Sequence, residues 1–194
     1  RFNNGVLPQT VPAPSLLGVD DVGNNPAFRG FQENLDDAAG AIEGFVNRVV
    51  QAESGGRTDA KNPSSSATGV GQFIESTWLD LFRRYYPAQA ASMGREAILE
   101  LRKDSDVSRD LIEKYAQENA RILQAAGVHV DEAALQLAHF LGAGDAAKVL
   151  SAAPGTPLAG LISQRSINAN PTILGGGRTV DDARAYAQRR ADAP

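Results

Sequence analysis

Apolar residues at helical spacing constrain the fold of this chain more than any other feature. After Asp36 they recur at intervals of three and four, which is one face of a 3.6-residue period. This stripe consists of Ile42, Phe45, Val46, Val49 and Val50. Since the sequence has no convincing run of alternating apolar and polar residues, strands are not expected. The pattern therefore predicts an all-α fold, with at most a small β-hairpin near residues 60–74.

Start and stop signals predict where further helices begin. Thr77 with Asp80, and Thr179 with Asp182, have the spacing of capping boxes. The helix after Thr179 is expected to end near Arg190. Single aspartates are expected to cap the segments "EAALQLAHFLG" and "AAKVLSA"; they are Asp131 and Asp145.

The longest helix is expected from Val107 to Ala126, with Gly127 as its stop. Its apolar stripe consists of Val107, Leu111, Ile112, Tyr115, Ile122 and Leu123. Asn119 shares that stripe, so it is interpreted as a structural amide, with substrate contact as the lesser alternative. Short helices are expected at 95–103 and 158–163, and Pro87 should end the helix that precedes it.

Length and composition favour one domain with a tail. The 194 residues, of which 42% are hydrophobic, can build one well-packed core. Residues 1–33 are rich in Pro, Asn and Gly and have no sustained period, so they predict an extended arm or linker before a domain at 34–194. Alternatively, the arm packs its apolar side chains onto the domain or onto a partner. As the first residue is arginine, an upstream region is expected to have been removed.

Charge and composition exclude several classes of function. With 19 basic and 23 acidic side chains, the chain has no broad basic face for nucleic acid or an anionic membrane. It has no cysteine, and its two histidines are ten residues apart, so no metal site is expected. No apolar stretch approaches the ~18 residues of a membrane span, which predicts no membrane insertion.

One carboxylate stands out from this background. Glu53 follows Val49 by four residues and Val50 by three, which places it on the apolar face just before Gly55 and Gly56. Apolar surroundings raise the pKa of a carboxyl group, which lets it hold a proton near neutral pH as a general acid must. The alternative is a helix-terminal residue that the following loop hydrogen-bonds.

Short motifs around Glu53 favour the catalytic alternative. "ES", "NP", "TGVGQF" and "STW" follow in this order within residues 52–78, "LAHFLGAGDAAKVL" occupies 137–150, and "NANP" and "GRTVDDARAYA" follow near the C-terminus. Their order and spacing resemble the soluble lytic transglycosylase family of the goose-type lysozyme-like superfamily, roughly over residues 36–194. The resemblance implies a lysozyme-like helical bundle with a glycan cleft between its lobes, and a minimal hairpin at most beside that cleft.

Residue by residue, the resemblance implies that Glu53 is the catalytic acid/base. Gln72 and Phe73 match the floor of the glycan cleft, where Gly71 lets backbone approach the sugar. The serine of the family is not clear in this chain, because proline stands at its usual place and three serines crowd that position. Ser66 is the candidate among them for contact with substrate.

Two further segments carry candidates for substrate binding. In "AHFLGAG", His139 stands where the family commonly has tyrosine, and Phe140 where it has asparagine. His139 either polarises the carboxyl group or contacts sugar, or it is a satisfied histidine in a seam between helices; both interpretations stay open. Asn170 of "NANP" is the remaining candidate. Aromatic candidates for stacking on sugars are Phe73, Tyr85, Tyr86, Phe140 and Tyr186.

The resemblance implies a peptidoglycan lytic transglycosylase that cleaves the bond between N-acetylmuramic acid and N-acetylglucosamine and forms a 1,6-anhydro product. It requires one glutamate and no cofactor. A hydrolytic muramidase is the nearest alternative, and it would need a second carboxylate, such as Asp59, Glu75 or Asp80. A non-catalytic glycan-binding or assembly module of a secretion, flagellar or phage machine is another. The substrate implies the periplasm or cell envelope, or a virion, with an envelope or virion partner for the arm.

Overall fold

Helices separated by short connections make up the part of the chain described by the computed structural model. Backbone is described for residues 26–54 and 75–193, and side chains for 36–51, 75–168 and 170–193. Two compact units are distinguished, Arg1–Leu35 and Asp36–Pro194. The hairpin expected near 60–74 lies outside the described residues. Residues 1–25 of the expected arm also lie outside them.

The helices follow one another with few interruptions. They are α1 Pro26–Ser54, α2 Glu75–Tyr85, α3 Pro87–Ser92, α4 Arg95–Glu100, α5 Ser105–Ala125, α6 Glu132–Leu141, α7 Ala143–Ser151, α8 Gln164–Ala169, α9 Pro171–Leu174 and α10 Val180–Ala191. A 3₁₀ turn at Leu101–Lys103 continues α4, so the short helix expected at 95–103 is confirmed. Within the described ranges, β structure consists of two isolated bridges. The all-α prediction is therefore confirmed.

The first helix is longer than the sequence pattern predicts. It begins at Pro26, and proline suits the first position of a helix because its fixed φ is already helical and its missing N–H would have no partner there. Residues 26–33, expected to be extended, are therefore helical. With 29 residues, α1 exceeds the 21 of α5, so the expectation that α5 is the longest helix is wrong.

The core is built around α6. All five residues from Ala134 to Ala138 are buried, and a helix that is apolar on every side has to be surrounded by other elements. Helices α5, α7 and α10 pack against it, and Phe45 of α1 contacts its His139 ring edge to face at 5.6 Å. Residues 134–138 of α6 therefore lie in the centre of the core.

Helix α5 turns a slightly different face to this core from the one expected. Asp104 caps it by accepting hydrogen bonds from the N–H groups of Asp106 and Val107, both at 3.0 Å. Gly127 follows its end with φ +73°, as a helix stop requires. Ile122 was expected in the buried stripe, but 42% of it is exposed. It borders an opening between α2, α5 and α7, where none of the described helices covers it.

The cap predictions divide into confirmed and wrong ones. Asp131 accepts a hydrogen bond from the N–H of Ala134 at 2.7 Å, and Thr179 with Asp182 forms the capping box that begins α10; both are confirmed. Thr77 is the third residue of α2 and cannot cap it. Asp145 is likewise the third residue of α7, where it accepts from the N–H of Ser163 at 3.0 Å.

The prediction of a helix at 158–163 is also wrong. Pro157 pairs with Thr179, and Ala159 with Ile162, in isolated bridges. The helix begins only at Gln164, where the Ser163 side chain accepts a hydrogen bond from the N–H of Ser166.

A half-buried ion pair joins α1 to the start of α6. Arg48 donates to Glu132 Oε2 through Nε at 2.9 Å and Nη2 at 2.7 Å, and through Nη1 to the carbonyl of Ala193 at 2.7 Å. Gly44 makes room for this carboxylate, because a Cβ added there would lie 2.2 Å from Glu132 Oε1. One arginine thus ties α1 to both α6 and the C-terminal segment.

Gly44→Ala is expected to be less stabilising than Gly40→Ala by about 1 kcal/mol, since the new methyl group displaces Glu132 from Arg48. Gly40 is exposed on the same helix and has nothing within 4 Å of an added Cβ, so its replacement should stabilise by about 0.5–1 kcal/mol. Urea unfolding measures both. In a Glu132→Ala background the two substitutions should become equal, and a persisting difference would show that the ion pair is not the cause.

Candidate active site

Glu53 lies at the end of α1, as predicted. It is the penultimate residue of the helix, one turn after Val49, whose side chain is buried. The Glu53 side chain lies outside the described residues, as do Ser66, Gly71, Gln72 and Phe73. The structure therefore fixes the helix end that carries the carboxylate and leaves the contacts of the predicted cleft floor as predictions.

Trp78 anchors the start of α2, the helix that follows the segment with Gln72. Helix α2 begins at Glu75, three residues after Gln72. Trp78 is 0% exposed, donates from Nε1 to the carbonyl of Ile98 at 2.6 Å, and stacks on Phe82 at 6.3 Å. Because this indole joins α2 to α4, the start of α2 has a fixed place in the core.

His139 lies in a seam between helices. Its ring meets Phe45 of α1 at 5.6 Å and Tyr115 of α5 at 6.0 Å, both edge to face. Burial, and then the nearby charge of Arg190, lowers the pKa of His139 to about 4, so the imidazole is neutral at neutral pH. Phe45 precedes Glu53 by eight residues, about 12 Å along the helix axis. These contacts place the His139 ring between α1 and α5, and its contact with the Glu53 carboxyl group stays a prediction.

This lowered pKa predicts a pH dependence of stability. In the unfolded chain His139 has its ordinary pKa of 6.5. Between pH 6.5 and pH 4 its imidazole is therefore protonated in the unfolded state and neutral in the folded state. The stability contributed by neutral His139 is present above pH 6.5 and is lost as the pH falls toward 4, by roughly 3 kcal/mol in all.

Urea unfolding between pH 7 and pH 4 measures the effect. His139→Phe, which keeps an aromatic ring without a titrating group, should lose less stability over this range than the wild type. His129, whose side chain is exposed, provides the control, and His129→Gln should keep the wild-type slope. If His139→Phe also kept that slope, the buried histidine would not be its source.

Phe140 and Asn170 contact different parts of the fold. Phe140 packs on Tyr186 of α10, with ring centroids 4.9 Å apart. Asn170 lies between α8 and α9, where its carbonyl accepts from the N–H groups of Ile173 and Leu174. His139 and Phe140 are adjacent on α6, but their rings face different helices, so the described contacts do not bring the three candidates together.

Several carboxylates and phenols considered for the site already have partners. Glu75 pairs with Arg95 at 2.6 Å, the Tyr85 hydroxyl donates to Glu118 at 2.9 Å, and the Tyr86 hydroxyl donates to Asp110. Asp80 is exposed on α2, and Asp59 lies outside the described residues.

Sequence reasoning missed a cavity of about 270 Å³ between α2, α5 and the start of α7. Asp80 and Arg84 border it from α2, and Tyr115, Asn119 and Ile122 from α5. The one signal for it in the sequence is a polar amide, Asn119, on the otherwise apolar stripe of α5.

The described residues contain neither a metal-holding cluster nor a candidate membrane span. No group of three His, Asp or Glu side chains there could hold a metal ion. None of the described helices combines the length and the apolar character needed to cross a membrane.

Comparison with known proteins gives a partial similarity. Over 57 residues the chain is 37% identical to the probable transglycosylase SceD 2 of Staphylococcus saprophyticus. The match covers 29% of this chain and 23% of that protein, so the chain spans about a quarter of the relative that it matches. No protein-family model matches the chain. The similarity is compatible with a transglycosylase and does not distinguish the soluble lytic family.

Proposed function

We propose that this chain is a peptidoglycan lytic transglycosylase in which Glu53 is the only acid/base. The observation that carries the proposal is the position of Glu53 in the last turn of α1, after the buried residues Phe45, Val46 and Val49, and before the "TGVGQF" segment. The partial similarity to a probable transglycosylase supports it. The substrate is the glycan strand of peptidoglycan, with Gln72 and Phe73 as the floor of the cleft.

In the proposed reaction, Glu53 acts first as an acid. It gives its proton to the glycosidic oxygen while the bond from that oxygen to C1 of N-acetylmuramic acid breaks, so N-acetylglucosamine leaves with a hydroxyl group. The carboxylate then takes the proton of the C6 hydroxyl of the same N-acetylmuramic acid, whose oxygen bonds to C1. Glu53 ends protonated, as it began, and no water is consumed.

The ion pair of Glu75, one of the candidates for a second carboxylate, favours this reaction over hydrolysis. A hydrolase of either stereochemistry needs a second carboxylate beside the scissile bond. Of the candidates, Glu75 is held by Arg95, and Asp80 is exposed beside the cavity. A transglycosylase needs neither of them, because the attacking hydroxyl belongs to the substrate.

The muramidase and the non-catalytic module remain the competing functions. The substrate places the protein at the cell envelope or in a virion, where residues 1–33 would contact a partner.

A digest of purified peptidoglycan in water labelled with the heavy oxygen isotope separates the functions. The proposal predicts released glycan without label at the new chain end. Label at that end would establish a hydrolase, and no released glycan would favour the module.

A further inference from the structure

Arg48 is the polar side chain of α1 nearest to Glu53 for which the structure describes hydrogen-bond partners. It lies five residues before Glu53, about 7.5 Å along the helix axis. Its guanidinium donates to Glu132 Oε2 through Nε at 2.9 Å and Nη2 at 2.7 Å, and to the carbonyl of Ala193 through Nη1 at 2.7 Å. One side chain therefore connects the helix that carries Glu53 to two other parts of the fold.

Both acceptors are joined to helices that pack in the core. Glu132 is the first residue of α6, in which residues 134–138 are all buried. Ala193 follows the end of α10, and α10 packs against α6 and α7. The three hydrogen bonds of Arg48 therefore fix α1 relative to the core.

Gly44 makes this ion pair a fixed point on α1. Gly44 and Arg48 are four residues apart, so they lie on the same face of the helix. A Cβ added at Gly44 would clash with Glu132 Oε1, which shows that one carboxylate oxygen lies against the helix backbone there, while the other binds Arg48. If α1 slid along its axis or turned about it, the carboxylate would lose a hydrogen bond or clash with the backbone.

We propose that Arg48 is a positioning residue for Glu53. This rests on the proposed function, in which Glu53 is the acid/base. A general acid has to lie within about 2.6–3.2 Å of the atom that receives its proton, and a displacement of about 1 Å can lower a rate about 10²-fold. By holding the end of α1, Arg48 would keep the carboxylate within reach of the glycosidic oxygen, and it would act through Glu53 without touching the substrate.

Two substitutions weaken this contact to different degrees. Arg48→Lys keeps the charge, but one ammonium group cannot reproduce the planar fork of donors that serves two acceptors. Arg48→Met keeps an unbranched apolar side chain and removes every donor.

Arg184→Met provides the matched control. The Arg184 side chain is 29% exposed and that of Arg48 is 28% exposed. Arg184 donates to the carbonyls at the end of α7, which are those of Val149, Leu150 and Ala152. The control therefore removes a comparable set of hydrogen bonds, and the described partners of Arg184 are in neither α1 nor α6.

The test measures how fast soluble, uncross-linked glycan strands are cut, over a range of strand concentrations. Arg48→Met should lower kcat about 10²-fold and Arg48→Lys about tenfold, while KM should stay within about twofold because no contact with substrate is removed. Arg184→Met should lose stability as Arg48→Met does and keep the wild-type kcat. Urea unfolding and circular dichroism check that each variant is folded in the assay.

A double substitution separates positioning from a general loss of packing. If Arg48 acts through Glu53, Arg48→Met should have no further effect on the rate of the Glu53→Gln protein. The proposal is overturned if Arg48→Met keeps the wild-type kcat, if Arg184→Met lowers kcat equally, or if Arg48→Met slows Glu53→Gln as much as it slows the wild type. A higher KM at unchanged kcat would also overturn it.

Failure of this proposal and failure of the proposed function give different results. An inactive Glu53→Gln protein beside an Arg48→Met protein with wild-type kcat would contradict the positioning role alone. Strands that the wild type cuts to reducing ends, and that Arg48→Met cuts more slowly, would contradict the lytic reaction alone. A fully active Glu53→Gln protein would contradict both.

Discussion

Glu53→Gln is expected to slow the release of soluble glycan from purified peptidoglycan by about 10²- to 10⁴-fold. Glutamine keeps the size and shape of glutamate but can neither donate an acidic proton nor accept one. As the same group would act in both steps of the proposed reaction, no other side chain would take over either role. The loss is expected near the upper end of this range, and clearing of a cell-wall suspension measures it.

Glu43→Gln provides the matched control for this experiment. Glu43 lies ten residues earlier on α1, and its side chain is exposed. The control should keep the wild-type rate, and both variants should unfold at the wild-type urea concentration. A Glu53→Gln protein that clears the suspension at a rate near that of the control would exclude Glu53 as the acid/base.

Trp78→Ala is expected to cost about 3–5 kcal/mol of folding free energy. The indole is fully buried, and its removal leaves a cavity between α2 and α4 and takes the donor from the Ile98 carbonyl. Since α2 begins three residues after Gln72, the same substitution should also disturb the predicted cleft floor. Urea unfolding at neutral pH measures the loss of stability.

Trp78→Phe separates the hydrogen bond from the volume. A phenyl ring keeps much of the apolar contact with Phe82 but leaves the Ile98 carbonyl without its donor, which should cost about 1–3 kcal/mol for the unpaired acceptor. The expected order of stability is wild type, Trp78→Phe, Trp78→Ala. If alanine cost no more than phenylalanine, the indole would not be the anchor that its burial indicates.

Helical periodicity predicted the fold class and most helices because burial imposes it on the sequence. Phe45, Val46 and Val49 of the stripe predicted for α1 are buried, and Asp131 and Thr179 cap their helices as expected. A local signal that a side chain satisfies within one turn can be read from the sequence alone. This holds for a capping box as well as for an apolar stripe.

The wrong predictions arise where the deciding contact is distant in sequence. Asp145 has the composition of a cap, but its carboxylate accepts from the N–H of Ser163, eighteen residues later. Ile122 follows the period of α5, but nothing in the stripe shows that α2 and α7 leave it uncovered. Pro26 shows that a local signal can also be ambiguous, because proline occurs both at the start of helices and in extended linkers.

The candidate site divides in the same way. The place of Glu53 at the end of α1 could be predicted because its helix, its register and the following glycines are contiguous in the sequence. The cavity could not, since Asp80, Asn119 and Gly144 meet only through the packing of three helices. For His139 the sequence left two interpretations open. Its ring contacts Phe45 and Tyr115, and its contact with the Glu53 carboxyl group stays a prediction.

The mass of the muropeptides released from purified peptidoglycan by the wild-type protein tests the central claim most directly. Intramolecular attack by the C6 hydroxyl predicts products that end in 1,6-anhydro-N-acetylmuramic acid, each lighter by one water than the corresponding hydrolytic product. The same products should be nearly absent with Glu53→Gln. Products that end in reducing N-acetylmuramic acid, with no anhydro species, would contradict the account.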